Sequence, residues 1–197
     1  FLNKFHENIN SKLVENGLYI FFTKVIEQRN KALLDKMYFK FGYIVIFLDF
    51  IFNRVLPKCK LTQKIYYGVT RGKIRRISIP ETLGRVVSCG FDIVEYKETE
   101  NRFFIIARKT AAPCYDNEPS YSAVFKMKRI GFGGKVIEVF KFRTMHPFSE
   151  YLQKYMYENG MLSANGDKID NDFRITIWGK FLRKYWLDEL PQLINIL

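Results

Sequence analysis

Two adjacent carboxylates, Asp188 and Glu189, stand just before a regular apolar pattern near the end of the sequence. Pro191 suits a first helical turn, where its missing N–H has no intrahelical partner. The pattern predicts an α-helix with Asp188 as its N-cap and Glu189 in its first turn. Its apolar positions lie at helical spacing, at Leu190, Leu193, Ile194 and Leu197. In the simplest interpretation Asp188 only caps this helix and Glu189 only complements the helix dipole.

A chemical interpretation applies if the start of this helix faces a cleft. The positive helix end and the nearby Arg183 or Lys184 would keep both carboxylates ionised, which suits a nucleophile or a ligand of a divalent metal. A carboxylate that attacks phosphorus forms an acyl phosphate, which divides one difficult transfer into two easier ones. A metal ion and arginines would then neutralise a diphosphate during the transfer. Position and charge leave the structural and the chemical interpretations open.

A glycine-rich turn lies upstream, between the apolar segments AVFKMKRI and KVIEVFKFRTM. These segments predict two strands, and Gly131, Gly133 and Gly134 predict the turn between them. Bare backbone N–H groups and the neighbouring Lys135 would favour an anion such as phosphate. An ordinary hairpin without a ligand is the alternative.

The elements around these residues predict an α/β chain of two parts. Residues 1–112 are expected to form a Rossmann-like extension, residues 113–120 a linker rich in turn formers, and residues 121–197 an α+β catalytic domain. In the first part a helix after Pro80, a cap at Gly90 and a β-hairpin resemble the closing elements of Rossmann-like methyltransferases. No glycine-rich cofactor loop follows a strand there, so a scaffold without a cofactor is the alternative.

The most apolar stretch, residues 41–57, predicts a helix that is too short and too polar at Asp49 and Asn53 for a transmembrane span. It is either a core helix or a helix that lies on a membrane. Residues 50–80 contain eight basic residues and no acidic one. Such a segment suits either an anionic lipid surface or a solvated basic face.

Composition narrows the class of protein. The chain has 197 residues, 48% of them hydrophobic and 17% aromatic, which excludes an intrinsically disordered chain. A net charge of +12 predicts an anionic partner: nucleic acid, a membrane surface or a phosphorylated substrate. Cys59, Cys89 and Cys114 have neither disulfide-framework nor zinc-ligand spacing. The sequence begins without Met and ends inside an apolar run, so we expect an internal piece of a longer protein.

Two segments in this order, KRIGFGGKVIEVFKFRTM and DFRITIWGKFLRKYWLDELPQLINIL, resemble the bacterial sugar transferase family. Its members are monotopic polyprenyl-phosphate phosphoglycosyl transferases that initiate capsule, O-antigen and exopolysaccharide synthesis. The resemblance implies transfer of a sugar-1-phosphate from a nucleotide diphosphate sugar to undecaprenyl phosphate, with Mg²⁺ as cofactor, at the cytoplasmic face of the bacterial inner membrane.

The resemblance also implies roles for individual residues. Asp188 would be the nucleophile that carries the phosphosugar, and Glu189 would help to hold the metal with it. Positively charged residues would contact substrate phosphate, namely Arg183, Arg143, Lys141 and Lys135. Asp172 and Arg174 match further family positions and are expected to brace the loop before the helix.

The sequence departs from the family pattern at two places. Many members carry a long apolar re-entrant helix directly before the strand that corresponds to AVFKMKRI, whereas the apolar candidate here lies far upstream, at residues 41–57. The family pattern continues past LDELPQL into a basic segment that binds substrate phosphate, so we expect the catalytic domain to be incomplete here. Two other functions stay open: a basic nucleic-acid-binding module and a fragment of an S-adenosylmethionine-dependent methyltransferase.

Overall fold

A computed structural model describes residues 2–37, 39–58, 60–71, 77–100, 102–115, 122–161 and 172–195. The chain divides into two compact units, residues 1–115 and 116–197. This division falls within the predicted linker, 113–120, of which residues 116–120 lie outside the described part. Cys59, Tyr121 and Leu197 also lie outside it, as do three of the eight basic residues of the segment 50–80, namely Lys73, Arg75 and Arg76.

The first unit combines helices with a three-stranded sheet. Its elements are α1 (Leu2–Lys12), β1 (Leu18–Thr23), α2 (Ile26–Lys36), α3 (Phe39–Phe50), α4 (Lys60–Thr70), α5 (Ile79–Ser88), β2 (Phe91–Glu98) and β3 (Phe103–Lys109). The sheet order is β1-β3-β2, and both neighbouring pairs are antiparallel. The predicted α/β class is therefore confirmed. The finer Rossmann-like description is not, because its parallel strand pairs do not occur between the described strands of this unit.

The helix and hairpin predicted after Pro80 are α5, β2 and β3. Ser78 caps α5 by accepting a hydrogen bond from the Glu81 N–H at 3.3 Å, and Pro80 lies in the first turn. Gly90 has a φ of 85°, and a Cβ there would lie 2.1 Å from the Ala111 carbonyl oxygen. Only glycine suits this step between helix and strand. The core of the unit lies against α5 and the sheet, with Leu83, Val86, Phe91, Phe103 and Ile105 buried.

The apolar stretch 41–57 is helical, as predicted. α3 continues into a π-helical turn, Ile51–Val55, and a 3-10 turn, Leu56–Lys58. Its polar interruptions are bonded to neighbouring elements: Asp49 pairs with Arg29 of α2 at 2.6 Å, and Asn53 accepts from the Tyr66 hydroxyl of α4 at 3.0 Å. None of the described helices is long and apolar enough to cross a membrane.

The second unit is built on a β-hairpin. Its strands are β4 (Val124–Ile130) and β5 (Val136–Phe142), paired antiparallel in continuous register around the predicted glycine turn. A 3-10 turn (Ser149–Leu152), α6 (Gln153–Glu158), α7 (Ile177–Lys184) and a nine-residue 3-10 helix (Leu187–Asn195) follow. The predicted α-helix with Asp188 as its N-cap is wrong: the last element is a 3-10 helix, which begins at Leu187 and contains Pro191.

Candidate functional site

The carboxylate pair lies on the 3-10 helix Leu187–Asn195, which packs along β5. Asn195 fixes the far end of this helix to the strand. Its side-chain carbonyl accepts from the Phe140 N–H at 3.2 Å, and its amide donates to the Glu138 carbonyl at 2.6 Å. Because two backbone groups of one strand are bonded to one side chain, the helix has a defined position along β5. Glu189 is thereby placed beside Lys141, near the end of that strand.

An ion pair joins the strand to the carboxylates: Lys141 Nζ lies 2.6 Å from Glu189 Oε1. Both side chains are partly exposed, at 22% and 37% of their surface. Asp188 is also half-buried and directly precedes Glu189. Trp186, at a φ of 58°, takes the left-handed conformation just before this helix. Glu189, paired with Lys141, and the adjacent Asp188 are therefore both partly exposed to solvent.

Thr144 connects the end of β5 with α7. Its carbonyl accepts from the Thr176 N–H at 2.9 Å and the Thr176 hydroxyl at 3.1 Å, while Thr176 caps α7 by accepting from the Gly179 N–H at 2.8 Å. The Thr144 hydroxyl accepts from Arg183 Nε at 2.9 Å. Both ends of α7 are therefore bonded to one residue, and Arg183 is oriented by it while its outer part stays exposed.

Gly179 makes this approach possible. A Cβ at Gly179 would lie 2.0 Å from the Thr144 carbonyl oxygen and 2.8 Å from its carbonyl carbon. No side chain fits between α7 and the Thr144 backbone at that separation. The glycine therefore sets the distance between α7 and the end of β5.

Asp172 and Arg174 form a buried brace before α7. Arg174 donates from Nε to Asp172 Oδ1 at 2.9 Å and from Nη2 to Asp172 Oδ2 at 2.7 Å. Its Nη1 donates to Oε1 of Gln153 in α6 at 2.7 Å. Burial raises the pKa of the Asp172 carboxyl, but hydrogen bonds from Arg174 outweigh it and hold that pKa below its ordinary value. The Arg174 carbonyl accepts from the His146 N–H at 2.9 Å. This geometry is that of a structural brace.

The two remaining predicted phosphate ligands lie apart from each other. Arg143 follows β5 directly, donates from Nε to the Ser122 carbonyl at 3.0 Å, and has its pKa lowered by burial. Lys135 precedes β5 and is exposed. At about 3.3 Å per strand residue, Lys135 lies about 20 Å along the strand from Lys141. The hairpin therefore does not bring Lys135 to the carboxylates.

The two carboxylates suit a magnesium ion whose other ligands are water and the phosphates of a substrate. In the described part of the chain no group of three or more His, Cys, Asp or Glu side chains is placed to hold a metal. Mg²⁺ commonly uses one or two carboxylates, several waters and substrate phosphates. Asp188 and Glu189 are two such carboxylates, adjacent and partly exposed, so the residues present fit this kind of site.

Three contributors to the site do not emerge from the sequence as functional residues. Thr144 lies inside the segment KFRTM, but its type alone does not reveal that it binds both ends of α7. Gly179 lies inside a helical pattern, where an isolated glycine indicates a close contact without naming its partner. Gln153 meets Arg174 from a different element, a pairing that spacing does not predict.

Comparison with known proteins finds similarity to sugar transferases in the part of the chain that contains these residues. Residues 103–197 match the family model described as bacterial sugar transferase, so the match begins in β3, before the predicted boundary at Tyr121.

Individual relatives cover a shorter part of the chain. A galactosyl transferase of Streptococcus agalactiae, CpsE, is 37% identical over 75 residues, which are 38% of this chain and 17% of that protein. The undecaprenyl-phosphate galactose phosphotransferase of Salmonella typhimurium is 39% identical over 79 residues, which again cover 38% of this chain and 17% of that protein. The UDP-glucose:undecaprenyl-phosphate glucose-1-phosphate transferase of Escherichia coli is 40% identical over 74 residues, which cover 38% of this chain and 14% of that protein. The chain thus spans less than a fifth of the length of these relatives.

Proposed function

Residues 103–197 of this chain belong to the bacterial sugar transferase family, and from this premise we propose that the protein is a phosphoglycosyl transferase. It transfers a sugar-1-phosphate from a nucleotide diphosphate sugar to undecaprenyl phosphate and releases the nucleoside monophosphate. The names of the relatives from Salmonella typhimurium and Escherichia coli support this acceptor, and the second supports a UDP-sugar donor. The product would begin the synthesis of an exopolysaccharide, a capsule or an O-antigen. The family match favours neither nucleic-acid binding nor methyl transfer.

The single observation that carries the proposal is the ion pair between Lys141 and Glu189, the residue directly after Asp188, within the matched region. A carboxylate next to a paired carboxylate and a lysine suits covalent phosphoryl chemistry. An oxygen of Asp188 attacks the phosphorus that bears the sugar. The bond from this phosphorus to the oxygen of the nucleoside monophosphate breaks, and an acyl phosphate that carries the sugar remains on Asp188. An oxygen of undecaprenyl phosphate then attacks the same phosphorus, and the Asp188 carboxylate leaves.

Lys141, Arg183 and Arg143 supply positive charge around this reaction. Lys141 holds Glu189 at 2.6 Å, and this contact orients the carboxylate. Arg183, oriented through Thr144, presents its exposed guanidinium to phosphate oxygens. Arg143 adds charge at the same end of β5. Lys135, about 20 Å along the strand, would meet a different part of the substrate or none.

Asp188 and Glu189 would hold the Mg²⁺ together with oxygens of the substrate diphosphate. When bound, the ion supplies charge neutralisation at the phosphates during transfer. The chain's own groups bind the donor, place the Asp188 oxygen against phosphorus and orient Glu189. We further propose that the protein acts at the cytoplasmic face of the bacterial inner membrane, where an anionic lipid surface attracts its net charge of +12.

The proposal is tested by nucleotide release. The purified protein is incubated with UDP-glucose or UDP-galactose, undecaprenyl phosphate in detergent and Mg²⁺, and UMP is measured. The expected result is release that depends on the acceptor and is abolished by Asp188→Asn. Asp92→Asn, which changes an exposed carboxylate of β2 in the same way, is the matched control and keeps full activity. Equal release by the Asp188→Asn variant would refute the assignment.

A further inference from the structure

A helical hairpin in the first unit leaves two apolar stripes uncovered. α4 folds back along the segment that ends α3, since Tyr66 contacts both Phe52, at 5.4 Å between ring centroids, and Asn53. On α4, Leu61, Ile65 and Val69 follow each other at one-turn spacing and are 86%, 70% and 75% exposed. Three exposed aliphatic side chains in one row on a helix are unusual for a surface that meets only water.

The second stripe runs along α3 and the π-helical turn after it. Its members are separated by three or four residues and are all exposed, namely Phe41, Ile44, Leu48, Phe52 and Val55. This spacing places them along one side of the helix. The hairpin therefore presents apolar side chains from both of its helices, while only a few of its residues, such as Ile46 and Tyr66, are buried.

The hairpin cannot bury these stripes by turning over, because its other side is bonded to the rest of the unit. Asp49 pairs with Arg29 of α2, and Arg54, which is 7% exposed, pairs with the fully buried Glu81 of α5 at 2.7 Å. Breaking a buried ion pair leaves an uncompensated charge, which is strongly unfavourable. The polar side is thus fixed inward and the apolar stripes are fixed outward.

The charge of the hairpin and its flank indicates what covers the stripes. Residues 50–80 contain no acidic residue. Of their eight basic residues, Arg54 is used in the core, whereas Lys64 of α4 and Arg71 at its end are exposed. Apolar side chains next to basic ones match a bilayer with anionic headgroups, which accepts both at its interface. A second copy of this chain fits less well, because a symmetric contact would bring the same basic segment against itself.

We propose that this hairpin is the membrane-docking surface of the protein: it lies in the interface of an anionic bilayer, with the two stripes among the acyl chains and the basic residues at the headgroups. The inference concerns the first unit and does not depend on the transfer chemistry. It assigns the membrane contact to a hairpin that precedes the matched family region at residues 103–197.

Vesicle binding tests the proposal. The whole protein is floated with vesicles of phosphatidylcholine alone and with vesicles that contain about 30 mol% phosphatidylglycerol, a strongly anionic surface. We expect binding to the anionic vesicles and a loss of about tenfold or more in the Ile65→Glu variant, since a charge replaces an inserted side chain. Val14→Glu, which changes a similarly exposed residue in the turn between α1 and β1, is the matched control and binds like the unchanged protein.

Two further measurements separate the possible failures. Thermal melting confirms that both variants fold, which is expected because Ile65 and Val14 are exposed. Light scattering measures the mass of the protein in solution. A dimer that Ile65→Glu dissociates would show that a second copy of the chain covers the stripes, and this would overturn the proposal. Equal vesicle binding by Ile65→Glu and Val14→Glu would also overturn it. UMP release in detergent is expected to survive in Ile65→Glu. Vesicle binding without any UMP release would refute the proposed function and leave the docking surface standing.

Discussion

The close approach of α7 to Thr144 predicts that Gly179→Ala damages both folding and activity. The added Cβ would lie 2.0 Å from the Thr144 carbonyl oxygen, whereas an ordinary contact is about 3.4 Å, so α7 must move by about 1.4 Å. Alanine improves helix propensity by about 1 kcal/mol relative to glycine, but overpacking costs about 1–3 kcal/mol and sometimes more. Because the atom met is backbone and not a flexible side chain, we expect a clash cost at the upper end of this range, about 3 kcal/mol, which leaves a net loss of about 2 kcal/mol.

The same displacement reaches the site. A movement of about 1.4 Å breaks the 2.9 Å hydrogen bonds that Thr144 accepts from the Thr176 N–H and from Arg183 Nε. Misplacement of a positioned group by about 1 Å can lower a reaction rate by about 100-fold. We therefore expect UMP release to fall by about that factor even at temperatures where the variant is folded.

Chemical denaturation by urea and the UMP assay measure the two effects. The control is Gly68→Ala in α4, also a helical glycine, where an added Cβ has no atom within 4 Å. That variant gains helix propensity without a clash and is expected to be unchanged or more stable by up to about 1 kcal/mol. If Gly179→Ala were as stable and as active as the unchanged protein, the argument that this glycine sets the position of α7 would be wrong.

Two further predictions concern ion pairs. Burial raises the pKa of Glu81, but the charges of Arg54 and Arg85 outweigh burial and lower that pKa to about 2. The ionised Glu81 therefore stabilises the folded state fully at pH values above its unfolded pKa of about 4.3. This contribution disappears as the pH falls towards 2. Glu81→Gln is accordingly expected to cost about 3–5 kcal/mol in urea unfolding at pH 7, and a cost below about 1 kcal/mol would contradict the pairing. Lys141→Met removes the partner of Glu189 and is expected to lower UMP release about 10- to 100-fold. The melting temperature is expected to change little, because this ion pair is partly exposed. Unchanged UMP release would show that the contact does not position the Glu189 carboxylate.

Local patterns in the sequence predict much of this fold. The Pro80 and Gly90 signals around α5 and the glycine turn between β4 and β5 depend on backbone conformations that few residue types adopt, so they are visible without tertiary information. The helix over residues 41–57 is equally visible. The environment of its polar residues is not, because Asp49 and Asn53 find partners on α2 and α4 that only the tertiary structure brings near.

The last helix shows where local reasoning fails. Its apolar spacing and Pro191 predict an α-helix capped by Asp188, yet the chain adopts a 3-10 helix that starts at Leu187 after a left-handed Trp186. The bonds from Asn195 to Glu138 and Phe140 hold this segment along β5, so tertiary contacts outweigh helix propensity. The identity of the candidate carboxylates is predicted from sequence. The pairing of Glu189 with Lys141 and the role of Thr144 require the structure.

Intact mass spectrometry of the protein mixed with a UDP-sugar, Mg²⁺ and no acceptor tests the central claim most directly. An acyl phosphate on Asp188 predicts a mass increase equal to one phosphosugar, accompanied by UMP and reversed when undecaprenyl phosphate is added. The adduct should be absent in Asp188→Asn and present in the Asp92→Asn control. An adduct of the same mass that persists in Asp188→Asn would contradict the account, and so would acceptor-dependent UMP release by that variant.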